Sequence, residues 1–126
     1  MWARERIALG KAGEEAAVAF LKRRGYRILE RNRRTPFGEI DAIAREGLSL
    51  VVIEIKSRLS SSFGPPSFSV TWKKRRKIIQ NALFYLKKNH LLGSAWRIDV
   101  VAVKMLDHSA VGSIEIIRNA VEEEEI

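Results

Sequence analysis

Four charged residues interrupt two short apolar runs and suggest a metal site. Glu39 and Asp41 lie in the first run, and Glu54 and Lys56 lie in the second, among Ile, Val, Leu and Ala. Both runs are typical of β-strands, in which alternate side chains share a face. Glu39 and Asp41 therefore share one face, as do Glu54 and Lys56. Carboxylates crowded in apolar surroundings raise one another's pKa unless a cation joins them.

The spacing of the two runs predicts a hairpin. If its turn is centred on Glu46-Gly47, position 41 falls opposite 52 and position 39 opposite 54. Directly paired residues project to the same face, so all four charged groups are predicted on one side of the hairpin. The competing interpretation is a surface hairpin with cross-strand ion pairs, each of which contributes little. The apolar setting of both runs favours the metal site.

The composition limits which metal such a site can hold. The chain has no cysteine and only two histidines, His90 and His108, which stand in unlike contexts. Thiolate ligands are therefore excluded, and a zinc hydrolase has little support. Oxygen ligands favour Mg²⁺ or Mn²⁺.

Metal-assisted phosphodiester hydrolysis is the chemistry that this set of groups serves. Asp41 and Glu54 are the predicted ligands, with the backbone carbonyl of Ile55 as a candidate third, and Glu39 is a rival for the place of Asp41. The ion would polarise the scissile phosphate and acidify a bound water. Lys56 would position that water or stabilise the developing negative charge.

The charge of the chain favours a polyanionic partner. Its 126 residues carry a formal charge of +8, and four of the 15 acids lie in the last five residues. Residues 1–121 thus hold 23 bases against 11 acids, a net charge of +12. Nucleic acid is the usual reason for such a surplus, and a charged surface without a specific partner is the alternative.

Basic residues cluster just before the predicted hairpin, at the end of its second strand and at the start of the second helix. Five consecutive bases open the second helix, where the helix dipole disfavours them, so phosphate contact is the better interpretation than a solvated basic face. The candidate nucleic-acid-binding residues are Arg33, Arg34, Arg58, Lys73, Lys74, Arg76 and Lys77.

The elements that position these residues are two helices and five strands. Periodicity predicts helices over 2–24 and 72–89, strands over 26–29, 38–44, 50–58, 96–103 and 113–117, and a Ser-, Pro- and Gly-rich loop over 59–67. We expect an α/β sandwich, with a mixed sheet of about five strands and helices on both faces. Residues 1–121 form one domain, and the acidic tail over 122–126 is expected to be disordered.

Two further acids have open roles. Glu14 lies about 20° around the first helix from Leu21, at the edge of the apolar stripe. It is the helix acid that could face the sheet, although periodicity alone favours an exposed charge. Asp99 interrupts an apolar strand, and we expect a structural role in which it binds Arg97 or backbone.

The motifs taken together resemble the YraN-type family of small bacterial proteins, from Leu9 to Ala120. The residues that carry the resemblance are Gly10-x-x-Gly13-Glu14, Ala17, Leu21, Gly25-Tyr26, Asn32-x-Arg34, Gly38-Glu39-Ile40-Asp41, Val52-x-Glu54-x-Lys56-x-Arg58, Gly64, Val70, Lys74, Tyr85-Leu86 and Arg97-x-Asp99-Val100-Val101. That family is similar to archaeal Holliday-junction resolvases and to the PD-(D/E)xK restriction-endonuclease fold.

The resemblance implies a restriction-endonuclease-like fold and an active site of Glu14, Asp41, Glu54 and Lys56. The resemblance leaves Glu39 outside this set, so we assign the ligand position to Asp41 rather than to Glu39. Ile40 stands where the wider fold often has proline. The implied activity is that of a Mg²⁺- or Mn²⁺-dependent endonuclease acting on DNA, with branched structures as candidate substrates and a homodimer by analogy with the resolvases.

Two other expectations complete the prediction. A non-catalytic nucleic-acid-binding protein that retains the nuclease fold is the alternative, because fold and motif outlive activity. No apolar run approaches the ~20 residues of a membrane helix, and the N-terminus has no signal-peptide pattern. The sequence therefore predicts a cytoplasmic protein without a membrane partner.

Overall fold

Two helices and five strands follow one another in the predicted order. The structure, a computed structural model, describes residues 3–60 and 72–121. The elements are α1 (Ala3–Arg23), β1 (Arg27–Thr35), β2 (Gly38–Glu46), β3 (Ser49–Leu59), α2 (Trp72–Lys88), β4 (Trp96–Met105) and β5 (Val111–Ile117). The acidic tail over 122–126 and most of the predicted 59–67 loop lie outside the described residues.

The five strands form one mixed sheet in chain order. β1–β2, β2–β3 and β4–β5 are antiparallel, whereas β3 and β4 are parallel. The parallel pair requires a crossover connection, and α2 lies within it. β4 has β3 on one side and β5 on the other and is buried on both faces, as its near-continuous apolar run predicts.

The two helices cover opposite faces of the sheet. Val51 and Ile53 of β3 pack with α1 in one apolar cluster, and Leu50 and Val52 pack with α2 in another. This alternation along one strand divides the core into two layers and confirms the α/β sandwich. Each helix buries one stripe only, and neither is long and apolar enough to cross a membrane.

The register of the β2–β3 hairpin differs from the predicted one. Glu46 pairs with Ser49 and Ala42 with Ile53, so the turn consists of Gly47 and Leu48. Gly47 has a φ of 58°, the left-handed conformation that two-residue hairpin turns demand. The predicted register, with position 41 opposite 52, is therefore wrong by two residues, and the predicted turn centre at Glu46-Gly47 is wrong by one. A shift of two preserves which face each residue occupies.

β1 is longer than predicted, because it includes the basic segment that was expected to follow it. The strand pairs with β2 from Arg27 to Thr35, and its register shifts between Ile28 and Glu30. Asn32 lies within this strand with a φ of 52°. A left-handed residue inside a strand interrupts the alternation of side chains, and this interruption lies beside the candidate site.

A buried charge network fastens the ends of several elements together. Asp99 is fully buried and accepts hydrogen bonds from Arg97 Nε at 3.0 Å, from the Tyr26 hydroxyl at 2.8 Å and from the Asn119 backbone N–H at 2.9 Å. Arg97 also donates to Glu46 Oε1 at 2.6 Å. These contacts join β4 to the end of β2, the start of β1 and the segment after β5, which confirms a structural role for Asp99.

We predict that Asp99→Ala strongly destabilises the fold. The substitution leaves the guanidinium of Arg97 and the hydroxyl of Tyr26 without their buried acceptor, and breaking a buried ion pair typically costs about 3–5 kcal/mol. Urea denaturation followed by circular dichroism measures the loss. The exposed edge-strand variant Glu115→Ala is the control, with an expected change below about 0.5 kcal/mol. Equal stability of the two variants would contradict the structural role.

Candidate metal and nucleic-acid site

The carboxylate of Asp41 lies where β2 and β3 stop pairing. The antiparallel pairs run from the turn as far as Ala42 and Ile53. Beyond them, Asp41 Oδ2 accepts a hydrogen bond from the backbone N–H of Ile55 at 2.7 Å. A side-chain oxygen thus takes the place of the main-chain acceptor that the next rung would supply. We call this point the fork.

Two clefts open on opposite faces of the sheet at the fork. The α1-side cleft has a volume of about 490 Å³ and is lined by Arg6, Leu9, Gly10, Glu14, Asp41, Ile55, Ser57, Arg58 and Leu59. The α2-side cleft has a volume of about 200 Å³ and is lined by Phe37, Gly38, Glu39, Glu54, Lys56, Lys74, Lys77, Ile78 and Asn81. The predicted catalytic residues are therefore divided between two adjoining clefts.

This division corrects the prediction that all four hairpin charges share one side. Ile40 and Ile43 both pack in the α2-side core, whereas Ala42 packs in the α1-side core. Positions three apart cannot share a face of a strictly alternating strand, so the alternation breaks near Asp41. Asp41 consequently lines the α1-side cleft, while Glu39, Glu54 and Lys56 line the other.

The fork makes Asp41 an unusually weak acid. Burial is the largest cause that raises the pKa of Asp41, and the Glu54 carboxylate raises it further, to about 7. The Ile55 N–H and the Lys56 ammonium oppose this shift by stabilising the anion. Asp41 and Glu54 are thus electrostatically coupled even though they line different clefts.

Glu54 and Lys56 form an ion pair in the α2-side cleft. The distance between Lys56 Nζ and Glu54 Oε1 is 3.2 Å, and the side chains are 25% and 20% exposed respectively. The pair brings opposite charges together, and both side chains remain partly open to the cleft.

Glu14 faces the fork from α1 and is partly buried, contrary to the exposed charge that periodicity alone favoured. Burial and then Asp41 raise its pKa, while Arg31 opposes them. The amide of Asn32, oriented with its NH₂ group toward its acceptors, donates to Glu14 Oε1 at 2.6 Å and to Glu39 Oε1 at 3.1 Å. Asn32 therefore joins α1, β1 and β2 around the site.

Gly13 explains how Glu14 reaches the sheet. A Cβ atom at Gly13 would lie 1.8 Å from Ser57 Oγ and 2.8 Å from Ser57 Cβ, both closer than real contacts allow. The absence of a side chain thus lets α1 rest directly on β3, and the next residue lies over the fork. Gly10, one turn earlier, has nothing within 4 Å of its potential Cβ.

The predicted nucleic-acid-binding residues fall into several groups. Lys74 and Lys77 of α2 line the α2-side cleft, and Arg58 lines the α1-side cleft. Arg34 and Arg76 are exposed. The side chain of Lys73 lies outside the described residues.

Arg33 packs against Tyr85 of α2 and lines neither of the two clefts. Its Nη1 lies 3.1 Å from Glu30 Oε1, and its guanidinium lies 5.9 Å from the ring centre of Tyr85. The Tyr85 hydroxyl donates to Glu30 Oε2 at 2.5 Å. These contacts give Arg33 a structural role that the sequence pattern did not indicate.

Two asparagines at the site, Asn32 and Asn81, were not predicted as functional residues from the sequence. Asn32 entered only as part of the family resemblance, and its left-handed backbone left no periodic signal. Asn81 of α2 is 7% exposed and lines the α2-side cleft. The available signal for Asn81 was a polar residue among the apolar positions Ile78, Ile79 and Ala82.

Asp41 and Glu54 line different clefts, so one divalent cation could contact both carboxylates only at the fork, where the two clefts adjoin. The two carboxylates offer hard oxygen donors whose mutual repulsion a cation would relieve. Within residues 3–60 and 72–121, no three Asp, Glu or His side chains are arranged to hold a metal ion. Water and phosphate oxygens would therefore complete the coordination, as is usual for Mg²⁺.

Comparison with known proteins gives a family but no activity. Residues 13–103 match the uncharacterised protein family UPF0102. A UPF0102 protein of Desulfosudis oleivorans is 47% identical over 116 residues, which are 92% of this chain and 91% of the relative. UPF0102 proteins of Thermodesulfovibrio yellowstonii and Moorella thermoacetica are 48% and 45% identical over 82% and 88% of this chain, and over 93% and 92% of their own lengths.

The packing of Gly13 on Ser57 yields a stability prediction. We expect Gly13→Ala to lower the free energy of unfolding by about 1–3 kcal/mol, because the added methyl group overpacks the α1–β3 contact. Gly10→Ala in the same helix should raise it by about 0.5–1 kcal/mol, since only helix propensity changes. Urea denaturation measures both. Adding Ser57→Gly should restore much of the stability of Gly13→Ala, and its failure to do so would refute the contact.

The weak acidity of Asp41 yields a pH prediction. The native carboxyl binds a proton up to about pH 7, whereas the unfolded one loses it near pH 4, so stability falls as pH rises between these values. Asp41→Asn removes this penalty and should raise the free energy of unfolding by about 2–3 kcal/mol near pH 8, with allowance for partial exposure. The difference should vanish near pH 4.

Denaturation curves at both pH values check this prediction. A variant that is no more stable than the wild type near pH 8 would show that the native Asp41 carboxylate is not destabilised.

Proposed function

The chain belongs to the uncharacterised protein family UPF0102, and we propose that it is a Mg²⁺- or Mn²⁺-dependent endonuclease that hydrolyses phosphodiester bonds in DNA. The observation that carries the proposal is the fork, where the coupled carboxylates Asp41 and Glu54 adjoin the ammonium of Lys56. The name of the family states no activity, so the proposal rests on the chemistry of these groups.

Asp41 and Glu54 are the proposed ligands of the divalent ion. The Glu54 carboxylate helps to raise the pKa of Asp41 to about 7, and a bound cation would favour ionisation of Asp41. When bound, the ion supplies Lewis-acid chemistry to the scissile phosphate. Glu14 contributes a third negative charge from the α1 side, and Asn32 holds it in place.

Lys56 is the proposed catalytic cation. In hydrolysis a water oxygen forms a bond to phosphorus, the bond from phosphorus to the leaving oxygen breaks, and negative charge gathers on the phosphoryl oxygens. The ammonium of Lys56, a compact charge next to Glu54, would stabilise that charge or position the water.

The basic residues of α2 support nucleic acid as the substrate class. Lys74 and Lys77 line the same cleft as Glu54 and Lys56. Phosphate contacts of this kind dominate the affinity of proteins for nucleic acids and carry no sequence information. Branched DNA as the target and a homodimer as the active form are proposed by analogy with junction resolvases, which cut two strands.

A non-catalytic nucleic-acid-binding protein is the second candidate. The observation in its favour is that the charged groups satisfy one another, since Lys56 pairs with Glu54 and the Ile55 N–H binds Asp41. In that case the carboxylates would serve the fold, and the basic cleft alone would serve binding.

We predict that cleavage of DNA requires Glu54 and Lys56. A screen over duplex, single-stranded, flap and four-way-junction DNA with Mg²⁺ or Mn²⁺ compares the wild type with Glu54→Gln and Lys56→Ala. Each substitution should lower the rate by on the order of 10²–10³-fold, because Glu54→Gln weakens the proposed metal-binding pair and Lys56→Ala removes the cation that stabilises charge at the phosphate. Glu115→Gln, which removes an exposed edge-strand carboxylate, should leave the rate unchanged.

The outcomes separate the two candidates. Cleavage that survives Glu54→Gln would overturn the catalytic assignment. Binding of these substrates without cleavage under any metal condition would favour the non-catalytic protein, and absence of binding would reject both.

A further inference from the structure

Asn81 is a buried amide of which only the oxygen is engaged within the fold. The hydroxyl of Thr35 donates to Asn81 Oδ1, and the backbone N–H of Phe37 donates to Thr35 Oγ1 at 3.0 Å. This chain of hydrogen bonds holds the β1–β2 turn against α2. It also orients the amide, because the oxygen faces Thr35 and the NH₂ group must point elsewhere.

The NH₂ group of Asn81 is accessible on the α2 side of the sheet. Asn81 is 7% exposed, and its Nδ2 has no hydrogen-bond partner among residues 3–60 and 72–121. In the same part of the chain, no fully buried side-chain nitrogen or oxygen lacks a partner. Nδ2 is therefore reachable by solvent, and Asn81 lines both the α2-side cleft and a smaller adjoining cavity that Glu39 and Glu54 also line.

The α2-side cleft contains three lysines and two carboxylates, and one lysine, Lys56, pairs with Glu54. Lys74 and Lys77 precede Asn81 by seven and four residues and share its face of α2. Lys56 lines the cleft from β3. A donor held in one orientation is suited to an anionic oxygen that Lys74 and Lys77, which line the same cleft, attract.

We propose that Asn81 Nδ2 donates a hydrogen bond to a phosphate oxygen of the bound nucleic acid, beside Lys56 and Lys77. This inference rests on the proposed function and adds a substrate-binding residue to it. The lysines supply attraction over a distance, whereas the amide supplies a fixed direction, because Thr35 holds its other end. Asn81 therefore helps to set where the backbone lies relative to the fork.

A neutral donor can be distinguished from a cation by the salt dependence of the affinity. Each cation that neutralises a phosphate adds about 0.9 to the slope of log affinity against log salt concentration. An amide adds nothing to this slope, since it releases no counterion. Loss of Asn81 should therefore weaken binding equally at all salt concentrations, unlike loss of a lysine.

The test measures binding of a fluorescein-labelled DNA duplex by anisotropy, with a chelator present to prevent cleavage, at about 50–200 mM salt. Asn81→Leu should bind about tenfold more weakly with an unchanged salt slope. Thr35→Val removes the same Thr35–Asn81 hydrogen bond but keeps Nδ2, and should weaken binding less than Asn81→Leu does, because the donor is loosened but not lost. Lys77→Ala should reduce the slope by about 0.9.

The results distinguish failure of this inference from failure of the proposed function. Equal weakening by Asn81→Leu and Thr35→Val would overturn the inference and assign Asn81 to the turn alone. A wild type that binds none of the duplex, single-stranded, flap and four-way-junction DNAs would reject the proposed function itself. If Asn81→Leu does not fold, Asn81→Asp keeps the acceptor for Thr35 without the donor, and wild-type affinity of that variant would also overturn the inference.

Discussion

The hydrogen bond from the Ile55 N–H to the Asp41 carboxylate is the interaction on which the site depends. A strand pair normally continues by exchanging main-chain hydrogen bonds, and a side-chain acceptor at this point ends the exchange. The carboxylate thereby becomes part of the sheet, partly buried and unable to move away from Glu54. The hydrogen bond itself lowers the pKa of Asp41, but burial and the Glu54 carboxylate outweigh it and leave a weak acid where the two clefts adjoin.

One specific contact positions each helix near the fork: Gly13 against Ser57 for α1, and Asn81 with Thr35 for α2. α1 comes close because Gly13 has no Cβ to meet Ser57, and this closeness brings Glu14 over Asp41. On the other face, Asn81 Oδ1 accepts a hydrogen bond from the Thr35 hydroxyl, and this bond holds the β1–β2 turn against α2. The acids and bases of the site are therefore positioned by small and polar residues rather than by the apolar core.

Much of the fold was predictable because the apolar patterns are strong. The run at 100–103 predicted a strand covered on both faces, and the stripe of α2 predicted its packing. The register of the hairpin was not predictable from the charges, because it is set by the left-handed backbone of Gly47. The basic segment around Asn32 was expected outside β1, since a left-handed residue within a strand gives no periodic signal.

The sequence by itself determined the class of fold, the family and the acids and lysine from which a metal site could be built. These properties are carried by residue type and spacing, which act locally. The tertiary structure alone decided that Asp41 lies with Glu14 in one cleft while Glu54 and Lys56 lie in another. It also decided that Asn32 and Asn81 belong to the site. Such arrangements depend on a break in strand alternation and on contacts between distant elements, and neither leaves a pattern along the chain.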